Sequence, residues 1–141
     1  MSYTGGPGAV ARDEIARHDG RMDETTIEFG ARGEAAACAH LEQLGYEILE
    51  RNWRHALGEI DIIARSGDTI VFVEVKTRSG VGFGHPFEAI THDKARRLRR
   101  LARQWDAEAV TAPRRIRIDA IGVIWPHGDD APVIEHLEQV C

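Results

Sequence analysis

This sequence is poor in the residues that staple a fold or span a membrane. It has two cysteines among 141 residues, Cys38 in an expected helix and Cys141 at the terminus. Two thiols so placed make neither a disulfide framework nor a zinc knuckle. No apolar run approaches the roughly 18 residues of a membrane helix, and the N-terminus lacks a signal-peptide core. The expectation is a cytoplasmic protein with no membrane partner. The seven histidines never fall in an H-E-x-x-H pattern, which argues against a zinc hydrolase. "GVGFG" lacks the Gly-Lys-Ser/Thr ending of a phosphate-binding loop and reads as a connection. His85, in the same glycine-punctuated loop, is accounted for by turn chemistry. Net positive charge is absent too. The formal charge of −5 has the wrong sign for a simple nucleic-acid binder.

What is present is a hydrophobic fraction of 43% and a charged fraction of 29%, the balance of a globular domain. The cations are unevenly placed. Between Ile90 and Trp105 six of them (Lys94, Arg96, Arg97, Arg99, Arg100, Arg103) accompany one acid, Asp93. Such a stretch suits a phosphate-binding face, and it equally suits a solvated helix face with no ligand.

Residues 1–24 are rich in glycine and charge without sustained period and read as a flexible arm, leaving 25–141 as one domain. Ala37, Cys38, Leu41 and Leu44 recur at helical spacing from Thr26 onward, and Gly45 is a natural stop. Glu34 falls on that same inward stripe. Strands are expected over 46–53, 59–65, 69–77, 116–125 and, at an edge, 133–137. A basic helix begins near Thr91, a candidate N-cap, and buries Ala95, Leu98, Leu101, Ala102 and Trp105. The order αβββαβ(β) implies a mixed sheet packed by helices, an α/β fold.

The strand "IVFVEVKTR" carries a paradox. Val71, Val73 and Val75 share one face, while Glu74 and Lys76 share the other with Phe72. Gly67-Asp68 suits a two-residue hairpin loop with Gly67 first in a type II′ turn. Ser66 then pairs with Thr69, which sets Asp61 opposite Glu74 and Glu59 opposite Lys76. Facing carboxylates repel unless something positive intervenes. Lys76 is one candidate and a divalent cation, Mg²⁺ or Mn²⁺, is another, because such ions take one or two carboxylates plus water and phosphate. A lysine there could orient or deprotonate water, and Glu34 could add a ligand from its helix. The competing reading is a Glu59–Lys76 ion pair with Asp61 capping a backbone group. Asp119, in an apolar strand, is left outside the site as a structural partner for a basic side chain.

Four segments, "GARGEAAACAHLEQLGYEILERNWR", "GEIDIIARSGDTIVFVEVKTR", "FGHPFEAITHDKARRLRRLA" and "RIDAIGV", together resemble the bacterial YraN-like family. That family is similar to the PD-(D/E)xK nuclease superfamily, with its restriction-endonuclease-like core, and to Holliday-junction resolvases. The resemblance implies that Asp61 and Glu74 are metal-binding acids, Lys76 the catalytic lysine and Glu34 the helical acid. It also implies that the Val75 carbonyl is a metal ligand. Ile60 stands where the motif's proline would be. The function expected is metal-dependent hydrolysis of DNA, on branched or processed intermediates, with RNA left open and a homodimer in prospect. Arg78, Lys94, Arg96, Arg97, Arg100 and Arg103 would contact phosphates. The alternatives are a nucleic-acid-binding adaptor without catalysis, and a protein-interaction factor whose acids are simply ion-paired.

Overall fold

The computed structural model describes residues 24–80, 91–109, 115–126 and 131–140. The expected N-terminal arm, except for Glu24, lies outside these residues, as do His85 and its loop. Helix α1 spans Thr26–Gln43. It starts at a reciprocal capping box, in which the Glu28 amide donates to Thr25 Oγ1 and the Thr25 amide to Glu28 Oε1. It stops where Gly45 takes φ 93°, which L side chains avoid. Ala37, Cys38 and Leu41 are buried as the spacing predicts. Leu44 is not. It forms the C-cap and is 56% exposed, because the stripe ends where the helix does.

Strands β1 (Glu47–His55), β2 (Gly58–Ser66), β3 (Thr69–Ser79), β4 (Arg115–Trp125) and β5 (Val133–Leu137) form one sheet in that order. The β3–β4 pair is parallel and the other three are antiparallel, so the sheet is mixed, as in a restriction-endonuclease-like core. Helix α2 (His92–Glu108), capped by Thr91, connects the parallel strands.

Each face of the sheet has its own core. Ile62, Ala64, Val71, Val73, Val75 and Ile121 pack beneath α1, while Ile63, Ile70, Phe72 and Ile118 pack beneath α2. The buried stripe of α2 is Ala95, Leu98, Leu101 and Ala102, with Trp105 partly buried at its edge and set edge-on to Phe72. Gly33 lets α1 approach closely. A Cβ there would stand 2.0 Å from Thr77 Oγ1, so only glycine permits this contact. Arg32, next to it, lies over the rings of Trp125 and Phe29, at 4.2 and 5.2 Å from their centroids, and pairs with Glu24.

The β2–β3 hairpin has the expected register over its first half. Ser66 pairs with Thr69 and Ile62 with Val73, and Gly67 has φ 62°. The ladder ends there. The Val75 amide donates instead to Asp61 Oδ2 at 2.8 Å, so a side chain takes the place of a backbone partner. Alternation breaks at the same point, since Ile60 packs on the α2 side with Ile63 although Ile62 lies under α1. The β2–β3 ladder therefore does not extend to set Glu59 opposite Lys76. Glu59 lies across from Arg54 of β1, with 3.7 Å between the guanidinium and the carboxylate.

Candidate active site

The parting of β2 and β3 opens a cleft of about 470 Å³ between the β1–β2 turn and α2. Asp61 and Glu74 lie in it. Lys94, Arg97 and Leu98 come from α2, and His55, Leu57 and Glu59 from the turn and its flanks. The two acids come together because β2 and β3 are joined by a tight turn. The cations come because α2 must cross the sheet to reach the parallel strand. Gly58 sustains that approach. At φ 144°, it leaves Leu101 3.5 Å and Arg97 3.7 Å from where a Cβ would be.

Burial is uneven between the acids and their neighbours. Asp61 is 1% exposed and Glu74 is 7% exposed. Burial pushes the Asp61 carboxyl well above the usual carboxylate range, and the negative fields of Glu74 and Glu34 add to it. The Val75 amide pulls the other way and is outweighed. Lys94 answers Glu74, with its ammonium 2.7 Å from Oε2. This is a positive group of the kind that the neighbouring carboxylates require, and it comes from a helix. Lys76 itself is depressed below the ordinary lysine range, chiefly by burial and then by Lys94. Glu74 opposes the shift, Arg78 adds to it and Asp61 opposes it.

Glu34 is buried in α1 and close enough to act on Asp61, but neither Glu34 nor Lys76 lines the cleft. Arg96, Arg100 and Arg103 are on the exposed face of α2, and Arg96 is paired with Asp93. Arg78 is partly buried, with an Nε that makes no hydrogen bond. Among the described residues no group of three His, Cys, Asp or Glu side chains is arranged around one point. The donor set nonetheless fits a hard divalent ion, which needs only one or two carboxylates when water and phosphate fill the remaining positions. A buried acid crowded by two others is the electrostatic deficit that such an ion relieves.

Sequence reasoning missed the β1–β2 turn. Ala56-Leu57 carries no Asn-Gly or Asp-Gly signal, and only the following Gly58 hints at it. His55 and Leu57 were therefore overlooked. Asp119 behaves as expected, away from the cleft. It is fully buried and accepts from Arg117 twice (2.9 Å each), from His136 (2.8 Å) and from the Gln139 amide (3.1 Å). His136 in turn meets His40 of α1 at 3.3 Å. No helix among the described residues is long and apolar enough to cross a membrane.

Residues 33–123, which include both acids and α2, match the sequence profile described as "Uncharacterised protein family UPF0102". A UPF0102 protein of Beutenbergia cavernae is 52% identical over 112 residues, covering 79% of this chain and 94% of that protein. One from Rhodococcus opacus is 47% identical over 111 residues, covering 79% and 93%. One from Streptomyces coelicolor is 50% identical over 115 residues, covering 80% and 88%. With that agreement over nearly the whole length of its relatives, the chain belongs to the UPF0102 family, the YraN-like group whose motifs it carries.

Proposed function

We propose that this protein hydrolyses phosphodiester bonds in DNA with the help of a divalent metal ion, Mg²⁺ or Mn²⁺. The observation that carries the reading is the meeting of two buried carboxylates, Asp61 and Glu74, in an open cleft bordered by Lys94 and Arg97. Asp61 Oδ2 is engaged by the Val75 amide, so Oδ1 and the Glu74 carboxylate would hold the ion. In an extended strand a residue's N–H and C=O point toward the same neighbour. The Val75 carbonyl therefore faces the same gap and would be a third ligand. When bound, the ion would neutralise charge developing on the phosphate and acidify a water.

The chain's own groups do the rest. Lys76, with its proton affinity lowered, orients or deprotonates the attacking water. The water oxygen bonds to phosphorus as the bond to the leaving sugar oxygen breaks, and that oxygen gains a proton. Glu34 supports Asp61 from the α1 side, while Arg97 and the outer arginines of α2 track the backbone. Cutting both strands of a branched DNA would take two such sites, so the reading extends to a homodimer.

A second reading is favoured by Lys94. Its ammonium already balances Glu74 without any metal, as a nucleic-acid-binding adaptor that keeps the fold would require. The test is cleavage of linear, nicked, flapped and four-way DNA, with RNA as a further arm, in Mg²⁺ and in Mn²⁺. Asp61→Asn and Lys76→Ala should each lower the rate by about a hundredfold or more. Variants that cut as well as wild type would remove the nuclease reading.

A further inference from the structure

The wall of the cleft opposite α2 has a composition that a phosphate groove does not need. The Trp53 and His55 rings are stacked, with centroids 5.6 Å apart and planes 19° from parallel. Trp53 is anchored against the α2-side core, and the Leu57 amide, 3.4 Å from His55 Nδ1, helps to hold the imidazole. His55 lies across from Gly58 in the β1–β2 ladder, and the Arg97 side chain rests against that same Gly58. An imidazole backed by an indole thus shares the lining of one cleft with the Arg97 guanidinium, the exposed Leu57 and the two acids.

We infer that this end of the cleft takes a single unpaired nucleobase, stacked between His55 and Arg97, and so selects single-stranded or flapped DNA over fully paired duplex. The inference rests on the nuclease reading of the cleft and names its substrate class. Three observations converge on it. A base continues the Trp53–His55 column, because every base offers a planar face to an aromatic ring or a guanidinium. A cleft of about 470 Å³ has room for one unpaired base with its sugar. Leu57, exposed at the cleft, offers apolar contact to a base edge and nothing to a phosphate. A base seated there would lead its own phosphate toward Asp61 and Glu74.

The experiment measures binding and cutting separately. Fluorescein-labelled 12-nucleotide single strands, the matching duplex, a flap and a four-way junction are titrated by anisotropy in Ca²⁺ and then assayed for cleavage in Mg²⁺. The expected result is that wild type binds single strand and flap at least tenfold more tightly than duplex or junction. His55→Ala should lose about tenfold of that affinity while duplex binding changes less than twofold. His55→Phe, which keeps a stacking face and drops the hydrogen bond, should restore it. Thermal melting confirms that both variants fold. Equal affinity for single strand and duplex, or equal losses on both in His55→Ala, overturns the inference. If cleavage persists alongside that result, the nuclease reading survives without it. A single-strand preference with no cleavage of any substrate supports the base slot and removes the nuclease reading instead.

Discussion

Lys94 of α2 holds its ammonium 2.7 Å from Oε2 of Glu74 on β3, and both side chains are largely buried. The ion pair bridges the crossover helix and the sheet at the point where the β2–β3 ladder has come apart. It occupies the role that a metal ion would share, so an ion bound there would compete with Lys94 for the same carboxylate.

Lys94→Ala tests that competition. Removing one partner of a largely buried pair leaves a charge without compensation, at a cost of about 3–5 kcal/mol. The variant should melt lower than wild type in EDTA and recover more than wild type when millimolar Mg²⁺ is added. Differential scanning fluorimetry reads both. Equal Mg²⁺ responses would mean that Glu74 does not meet the ion.

Asp61→Asn separates chemistry from stability. The amide oxygen can still accept from the Val75 amide, whereas the charge that burial and Glu74 oppose is gone. A carboxyl whose pKa is raised in the fold costs stability once pH exceeds its unfolded value. The metal-free variant should therefore melt about 2–5 °C higher than wild type at pH 7 while losing cleavage. At a pH below the ordinary aspartate range the two should converge. A variant less stable than wild type in EDTA would contradict this account of Asp61.

The exposed arginines make a different kind of claim. Neutralising Arg96, Arg97 and Arg100 to Gln should weaken binding to every DNA and flatten its dependence on salt. Each lost phosphate contact removes about 0.9 from the log–log slope. An unchanged slope would return this face of α2 to the solvent.

Gly33→Ala would drive a methyl group into Thr77, whose Oγ1 is buried there. Overpacking of this kind costs about 1–3 kcal/mol. Thr77→Ala should relieve only part of the loss. It removes the nearest two atoms and leaves Cβ 2.9 Å away. Denaturant melts of the single and double variants give the coupling.

Asp119 gives a pH dependence of opposite sign to that of Asp61. Burial alone would raise its carboxyl. The hydrogen bonds from His136, Arg117 and the Gln139 amide outweigh burial and hold it below the ordinary aspartate range. A depressed acid stabilises above its unfolded pKa, and that stability is lost as pH falls below about 3.8 through the folded value. Asp119→Asn should be less stable than wild type at pH 7 and show a shallower acid transition. Parallel acid melts of the two proteins would refute this.

What could be read in advance was what depends on near neighbours in sequence. Gly67-Asp68 specifies a tight turn, the turn specifies a register, and the register brings Asp61 toward Glu74. The stripe Ala37, Cys38, Leu41 was equally legible, because burial follows from helical spacing. What could not be read depends on contacts between distant segments. Nothing in "DKARR" distinguishes Lys94, which turns under to Glu74, from Arg96, which stays in solvent. Glu59 illustrates the limit of extrapolating a ladder. The register that placed it against Lys76 ended at Ile62 and Val73, where the Asp61 carboxylate took over an amide. The β1–β2 turn was illegible for a local reason, since Ala56-Leu57 has none of the usual turn chemistry.

The parallel β3–β4 pair has a bearing on the order of assembly. The β2–β3 hairpin closes over a two-residue turn, so the two acids can meet early, among contacts of short sequence separation. The β3–β4 pairing needs a far longer loop to close, and α2 lies within that loop, bringing Lys94 and Arg97 with it. Short sequence separation thus favours the carboxylates meeting before Lys94 and Arg97 arrive. In that order the acid pair would await the cover of α2, and a divalent ion that bound it then would speed the closing of the β3–β4 loop.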